Sequence, residues 1–217
     1  MIRSSPPLTL HQAATYYHRE YTRGDYYTAG RTAAAGTWQG RGAARLGLAG
    51  DVDPADFAAL LAGRSPRDGR QLVAPETASG KHRAAWDFQA APDKTVSLVA
   101  LVGGDQRVVE AHLAAARTAF DLLEQNALVK DRARQTVPTG NLVLARFDHD
   151  SSRALDPHLH SHHVIFNLTE RTPKPGRAPR AAAGGAAGRG GEWRALEPRG
   201  LFAAQSLATA VYHAELA

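Results

Sequence analysis

The chain contains no cysteine, which excludes a disulfide framework and any zinc site built on thiolates. Long apolar runs are also missing. No stretch approaches the roughly twenty residues that a bilayer-spanning helix needs, and no charged-then-apolar leader opens the sequence. The expectation is a soluble, cytoplasmic protein with no membrane insertion. Glycine is plentiful, but the stretch Trp38-Gln39-Gly40-Arg41-Gly42-Ala43-Ala44-Arg45-Leu46-Gly47-Leu48 lacks the closing Gly-Lys-Ser or Gly-Lys-Thr of a phosphate loop. Acid is the scarcer charge: 21 Asp and Glu against 26 Lys and Arg, a net charge of +5. That balance suits a polyanion such as nucleic acid. Much of the excess is Arg in a chain dominated by Ala, Gly and Arg, a bias that a GC-rich genome produces unaided, so charge alone carries little weight. No internal repeat is present, and 217 residues suffice for one domain with a real core.

What the sequence does have is histidine, concentrated in one place. Five of its ten histidines fall between Phe147 and Asn167. Leu142 to Phe147 and His163 to Leu168 alternate and are rich in strand formers, while Ser151, Ser152, Asp156 and Pro157 mark a turn between them. Side chains alternate across a strand, so His160 and His162 share one face while Ser161 and His163 point away. With the two strands side by side, His149 can approach that pair. Three imidazoles then converge and leave open positions for water or substrate, the arrangement of a catalytic metal site. On ligand softness they suit zinc or another transition metal. His158 is a competing same-face candidate, and a His-x-His spacing also arises by chance in a histidine-rich strand.

Elsewhere the chain supplies scaffold and a few further candidates. Thr9 to Tyr21 reads as a helix capped by Thr9. Tyr16 and Tyr17 form one pair and Tyr26 and Tyr27 a second. Such pairs pack against sheets as aromatic filler; as nucleophiles, their phenols, with pKa about 10, need a base or a cation nearby. Asp53 and Pro54 open a short helix that Gly63 closes, with Phe57, Leu60 and Leu61 as its apolar stripe. Residues 64 to 82 read as loop. Asp87, between Trp86 and Phe88, is either a turn cap or a carboxylate that orients a histidine or takes a proton. Thr95 to Val102 is strongly apolar. From 106 to about 127, Val109, Leu113, Ala116, Phe120 and Leu123 give one face of a long helix that should cover a sheet, with His112 on its solvated side. Lys174 to Gly191 reads as a flexible basic loop. Leu201 to Ala217 is helical and ends without a stop signal, as the front part of a longer protein would.

Taken in order, these parts resemble the N-terminal domain of MobF-type conjugative relaxases, nucleases with a His-hydrophobe-His motif and a catalytic tyrosine. The resemblance spans nearly the whole chain. It rests on the tyrosine pairs, Trp38-Gln39-Gly40-Arg41-Gly42-Ala43, Leu46-Gly47-Leu48-Ala49-Gly50, Asp53 to Gly63, Asp87 ahead of Lys94-Thr95-Val96-Ser97, and Thr139-Gly140-Asn141-Leu142-Val143. It closes with His149-Asp150-Ser151-Ser152-Arg153, Asp156-Pro157-His158-Leu159-His160-Ser161-His162 and Glu192-Trp193.

The resemblance implies that residues 1–217 are a relaxase domain, truncated at its C-terminus, with 174–191 as an insertion. It makes His149, His160 and His162 the metal ligands and Tyr16 the principal nucleophile. Tyr17 is its neighbour, Tyr26 or Tyr27 serves a second transfer, and Asp87 is the acidic residue beside the histidines. Lys94 and Arg153 are implied DNA contacts. The implied cofactor is a divalent cation, magnesium or manganese, with zinc and other metals able to occupy the site. The implied partner is single-stranded DNA at an origin of transfer, bound by a monomer that works with relaxosome and secretion-channel proteins. Both readings give an α+β fold in two layers, with an antiparallel sheet carrying the histidines and helices on its other face. The sequence departs from the family at His158, where glutamine is usual, and at His163, where a small residue is common. The gap between the tyrosine pairs is also longer than the family's. A rolling-circle replication initiator, a zinc hydrolase using metal-bound hydroxide and a non-catalytic single-stranded DNA-binding module are the alternatives.

Overall fold

A computed structural model describes residues 1–12, 36–74, 83–131, 133–152, 154–171 and 191–217. Its centre is a five-stranded, wholly antiparallel sheet in the order β1 (Ile2–Ser4), β3 (Ala85–Ala90), β7 (Pro157–Phe166), β6 (Leu144–Ser151) and β2 (Thr37–Gln39). β7 is the longest strand and the central one, and it carries the histidine run. Both histidine strands extend further toward their shared turn than alternation indicated, so the connection shrinks to residues 152–156. There Ser152 and Asp156 are bonded backbone to backbone, and Leu155 takes a left-handed conformation at φ 63°.

One face of this sheet is covered by two long helices, α4 (Gln106–Gln125) and α5 (Arg199–Leu216). Asp105 starts α4 by accepting a hydrogen bond from the Arg107 amide. Its buried face is His112, Ala115, Ala116, Ala119, Phe120, Leu123 and Glu124. The expected stripe is thus right at Ala116, Phe120 and Leu123, whereas Val109 and Leu113 are only half-buried. His112 corrects the sequence expectation outright: it is fully buried, not solvated. The cause is α5, which brings Leu201, Ala204, Ala208 and Tyr212 into one core with the alanines of α4 and with Trp86, Phe88 and Ile165 of the sheet. Small side chains on both helices permit that close approach, and a second covering helix buries a flank that a lone helix would expose.

On the opposite face, the described helical cover lies at one end. There α2 (Pro54–Leu61) lays Phe57, Leu60 and Leu61 over Ala85, Phe147, Val164 and Phe166, joined by Trp38. Phe57 meets the rings of Phe147 and Phe166 edge-on at 6.0 and 5.1 Å. The Gly-rich stretch is packing, not phosphate binding. Gly40 sits at φ 90° ahead of α1 (Arg41–Arg45), and Gly42 donates its amide to the Leu142 carbonyl. A Cβ on either glycine would collide with that carbonyl.

The apolar run after Asp93 does not enter the core as a block. It forms α3 (Lys94–Leu101), burying Ser97 and Ala100 and leaving Leu98, Val99 and Val102 exposed. The remaining strands are peripheral: β10 (Leu196–Glu197), β4 (Leu128–Lys130) and β5 (Thr136–Pro138) form one small sheet, and β8 (Thr169–Arg171) pairs with β9 (Glu192–Arg194). Among the described residues no helix is long and apolar enough to cross a membrane.

Candidate metal centre

The other end of this second face holds the histidines, where His160 and His162 are only 7% and 8% exposed. In register His149 of β6 lies opposite His160 of β7, and His162 lies opposite Gln89 of β3 and Phe147 of β6. Strand parity therefore aims His149, His160, His162 and Asp87 at the same side. The ring centres of the three histidines form a nearly equilateral triangle, with sides of 5.2 Å (His149–His160), 5.3 Å (His149–His162) and 5.0 Å (His160–His162). Imidazoles bound to one cation at about 2.1 Å place their ring centres about 4.5–5.5 Å apart, so this spacing fits a shared ion. Among the described residues the donor atoms do not already converge as a closed coordination cluster. What is in place is the ring spacing and the outer hydrogen bonding of two of the rings.

Those outer bonds select the tautomers. His162 donates from Nδ1 to Asp87 Oδ2 at 2.7 Å, and His160 donates from Nδ1 to the carbonyl of His158 at 2.8 Å. In a neutral ring each Nε2 then carries the lone pair that a metal needs. A carboxylate bonded to Nδ1 in this way orients the histidine ring in many metal centres. Asp87 lies mid-strand in β3, 6% exposed, so it is no turn cap, and the group it bonds is a histidine. Burial holds two of the imidazoles neutral, lowering the pKa of His149 to about 4 and of His160 to about 2, with the neighbouring His162 pushing both the same way. His158, half-buried, stacks on His160 at 4.5 Å and is depressed first by burial and then by Lys94.

Lys94, the implied DNA contact, donates its ammonium to the Pro157 carbonyl at 2.7 Å, which places a cation at the open end of β7 with two donors in reserve. Arg153 and all four tyrosines, Tyr16, Tyr17, Tyr26 and Tyr27, lie outside the described residues, as does the basic stretch from 174 to 190. Sequence reasoning missed Glu124, Asp148 and the partners of His112. Glu124 is buried at the end of α4, and its Oε1 accepts the amides of Arg41 and Leu142, tying the Gly-rich segment to the residues that lead into β6. Its place one residue after Leu123 on the apolar stripe was the available signal.

The profile of the TrwC relaxase family matches residues 10–217. The Escherichia coli multifunctional conjugation protein TraI is 40% identical over 161 residues, 73% of this chain and 9% of that protein's length. The chain therefore spans about a tenth of the curated relative it matches. Two solved structures of the conjugative relaxase TrwC with OriT DNA superpose over the whole chain and 67–68% of theirs. The metal-bound one is 35% identical with a TM-score of 0.79, and the metal-free one 34% with a TM-score of 0.77.

Proposed function

The chain belongs to the TrwC relaxase family, and from that premise we propose that it is the strand-cutting domain of a conjugative relaxase, nicking single-stranded DNA at an origin of transfer. The observation that carries the proposal is the triangle of His149, His160 and His162 backed by Asp87. Relatives in this family have been solved with OriT DNA and with metal.

In this reading Tyr16 is the nucleophile. Its phenolic oxygen, after giving up its proton, attacks the scissile phosphorus; the bond from phosphorus to the 3′ oxygen breaks, and that oxygen leaves as a 3′-hydroxyl after taking up a proton. The DNA is left joined to Tyr16 through a 5′-phosphotyrosine. Because one phosphodiester is exchanged for another, the strand can be rejoined, which hydrolysis by water would not permit. His149, His160 and His162 would hold a divalent cation, magnesium or manganese, which when bound would neutralise charge building on the phosphate oxygens. Asp87 keeps His162 in the tautomer that offers Nε2 and fixes its ring plane. Lys94 and Arg153 would meet the strand's phosphates. Tyr17 stands beside the nucleophile, and Tyr26 or Tyr27 would serve a second transfer. The unit that does this is residues 1–217 with the insertion at 174–191, acting on its DNA in the cytoplasm alongside relaxosome partners.

The test is incubation with single-stranded oligonucleotides from the element's own transfer origin and magnesium or manganese, read on a denaturing gel. A slow protein–DNA band that disappears with Tyr16→Phe is expected. Cleavage without such a band, untouched by Tyr16→Phe, would instead make the protein a metal-hydroxide hydrolase. Binding without cleavage would leave a DNA-binding module.

A further inference from the structure

Behind the histidines, on the face of β6 and β7 turned toward the helices, runs a second polar system that the metal site does not use. Tyr212 of α5 and His112 of α4 are joined through the hydroxyl and Nδ1 at 2.7 Å. His112 Nε2 lies 2.9 Å from Ser161 Oγ, Ser161 donates to Asp148 Oδ1 at 2.6 Å, and Arg146 donates from Nε to Asp148 Oδ2 at 3.1 Å. Tyr212, His112 and Ser161 are all fully buried.

The proton directions in this chain are fixed. Ser161 spends its one hydrogen on the carboxylate, so His112 must donate from Nε2. The ring is neutral, its pKa lowered to about 4 chiefly by burial, so Nδ1 accepts from Tyr212. Every bond then points the same way, from α5 to the Asp148 carboxylate, the ordering in which successive bonds polarise one another.

The sequence positions give this relay its meaning. Ser161 lies between His160 and His162, and Asp148 immediately precedes His149; the two are register partners across β6 and β7. The neighbouring pair is His149 with His160, and directly beyond it the ladder breaks at a bulge between His149 and Ser151. On its other side β6 is paired with β2 only from Leu144 to Arg146. In the ladder, then, His149 lies past the part of β6 that β2 pairs, opposite His160 of β7 and next to the bulge. The Asp148–Ser161 bond ties the two strands at the register pair immediately before His149 and His160.

We propose that the Tyr212–His112–Ser161–Asp148 relay is a positioning device, which clamps β6 to β7 and so holds the His149 ring 5.2 and 5.3 Å from those of His160 and His162. The proposal rests on the reading of those three histidines as metal ligands. It makes α5, which packs on the other side of the sheet, part of the apparatus that sets metal affinity. None of the four residues touches metal or DNA; they act through the strands.

The experiment is a manganese titration of the 217-residue chain followed by electron paramagnetic resonance, with thermal melting run in parallel. Ser161→Ala is expected to weaken manganese binding about tenfold, the lower end for loss of an outer-sphere partner, and Tyr212→Phe by a smaller factor in the same direction. Leu123→Ala, which opens the same helix layer without touching the relay, serves as the control and should lower the melting point while leaving manganese affinity within about twofold. Nitrogen NMR should find the His112 proton on Nε2. Unchanged affinity in Ser161→Ala, or an equal loss in Leu123→Ala, overturns the positioning role. A parent chain that takes up no manganese overturns that role and the metal reading together.

Discussion

Strand β7 sends His160 and His162 to one face of the central sheet and Ser161 and His163 to the other, and the two pairs meet different surroundings. On the first face both imidazoles have Nδ1 engaged by an oxygen, and their rings stand about 5 Å from a third. On the helix face His163 lies flat on Phe120, ring centres 3.5 Å apart and planes 12° apart, and it is fully buried. Neither of its ring nitrogens makes a well-formed hydrogen bond among the described residues. It is packed as an aromatic hydrocarbon would be. Two adjacent histidines thus differ in surroundings because strand parity differs, which is why the residue type alone could not sort candidate ligands from core.

The sharpest way to break that comparison is to exchange the pair. His162→Ala should lower both manganese affinity and strand cleavage by more than about a hundredfold, since a ligand matters at least as much as the residues behind it. His163→Leu should retain both. It should also melt no lower than the parent, because an unsatisfied buried polar group costs about 1–3 kcal/mol, which offsets the lost stacking on Phe120. Cleavage gels and calorimetry check the pair. If His163→Leu loses metal as His162→Ala does, parity is not what divides them.

Acid separates the faces by a smaller effect. His112 is neutral in the folded chain down to about pH 4, whereas in the unfolded chain it titrates near 6.5. The unfolded state therefore takes up the proton first, and stability falls as the pH drops from about 6.5 to 4. The full difference for this group is on the order of 3 kcal/mol. Arg146 of β6, the N-terminal ammonium beside β1 and His158 of β7 push the same way as burial. Saturating manganese would compete with protons at the histidine triangle and not at His112. The acid slope that survives saturation should then belong to the helix face, and melting curves from pH 7 to 4 in the presence of the metal measure it. A flat curve would place the acid sensitivity elsewhere.

The parts legible in the sequence are those governed by local period. Alternation placed His160 with His162, the 3.6-residue period found α4, and Asp53 with Pro54 marked α2. Contacts between distant segments were not legible. That His112 would be roofed by Tyr212, one hundred residues away, depends on where α5 returns, and no local pattern encodes that. Asp87 could be given two functional roles from its apolar neighbours, but the choice required the register of β3 on β7, which puts Asp87 beside Val164 and within reach of His162. The apolar run after Asp93 misleads for a related reason: its composition suits a core, yet Lys94 to Leu101 lies at the rim, and only Ser97 and Ala100 turn inward.

The smallest predicted effect tests whether the two ends of the face bearing the histidine triangle are independent. At one end the face is roofed by α2, whose Phe57 packs on Phe147 and Phe166; at the other lie the histidines, with His149 only two residues beyond Phe147. Asp53 starts α2 by accepting the amides of Ala55 and Asp56 at 2.7 and 3.2 Å, so Asp53→Ala should cost about 1 kcal/mol through loss of the cap. If the relay behind the sheet holds His149, as proposed, the loss should stop at the roof: the melting point falls by a few degrees and manganese affinity is unchanged. If the aromatic roof holds β6 in place instead, loosening α2 would be felt two residues further on, and manganese affinity would fall together with stability. One variant, measured by calorimetry and by manganese titration, therefore decides which side of the sheet the histidine triangle leans on.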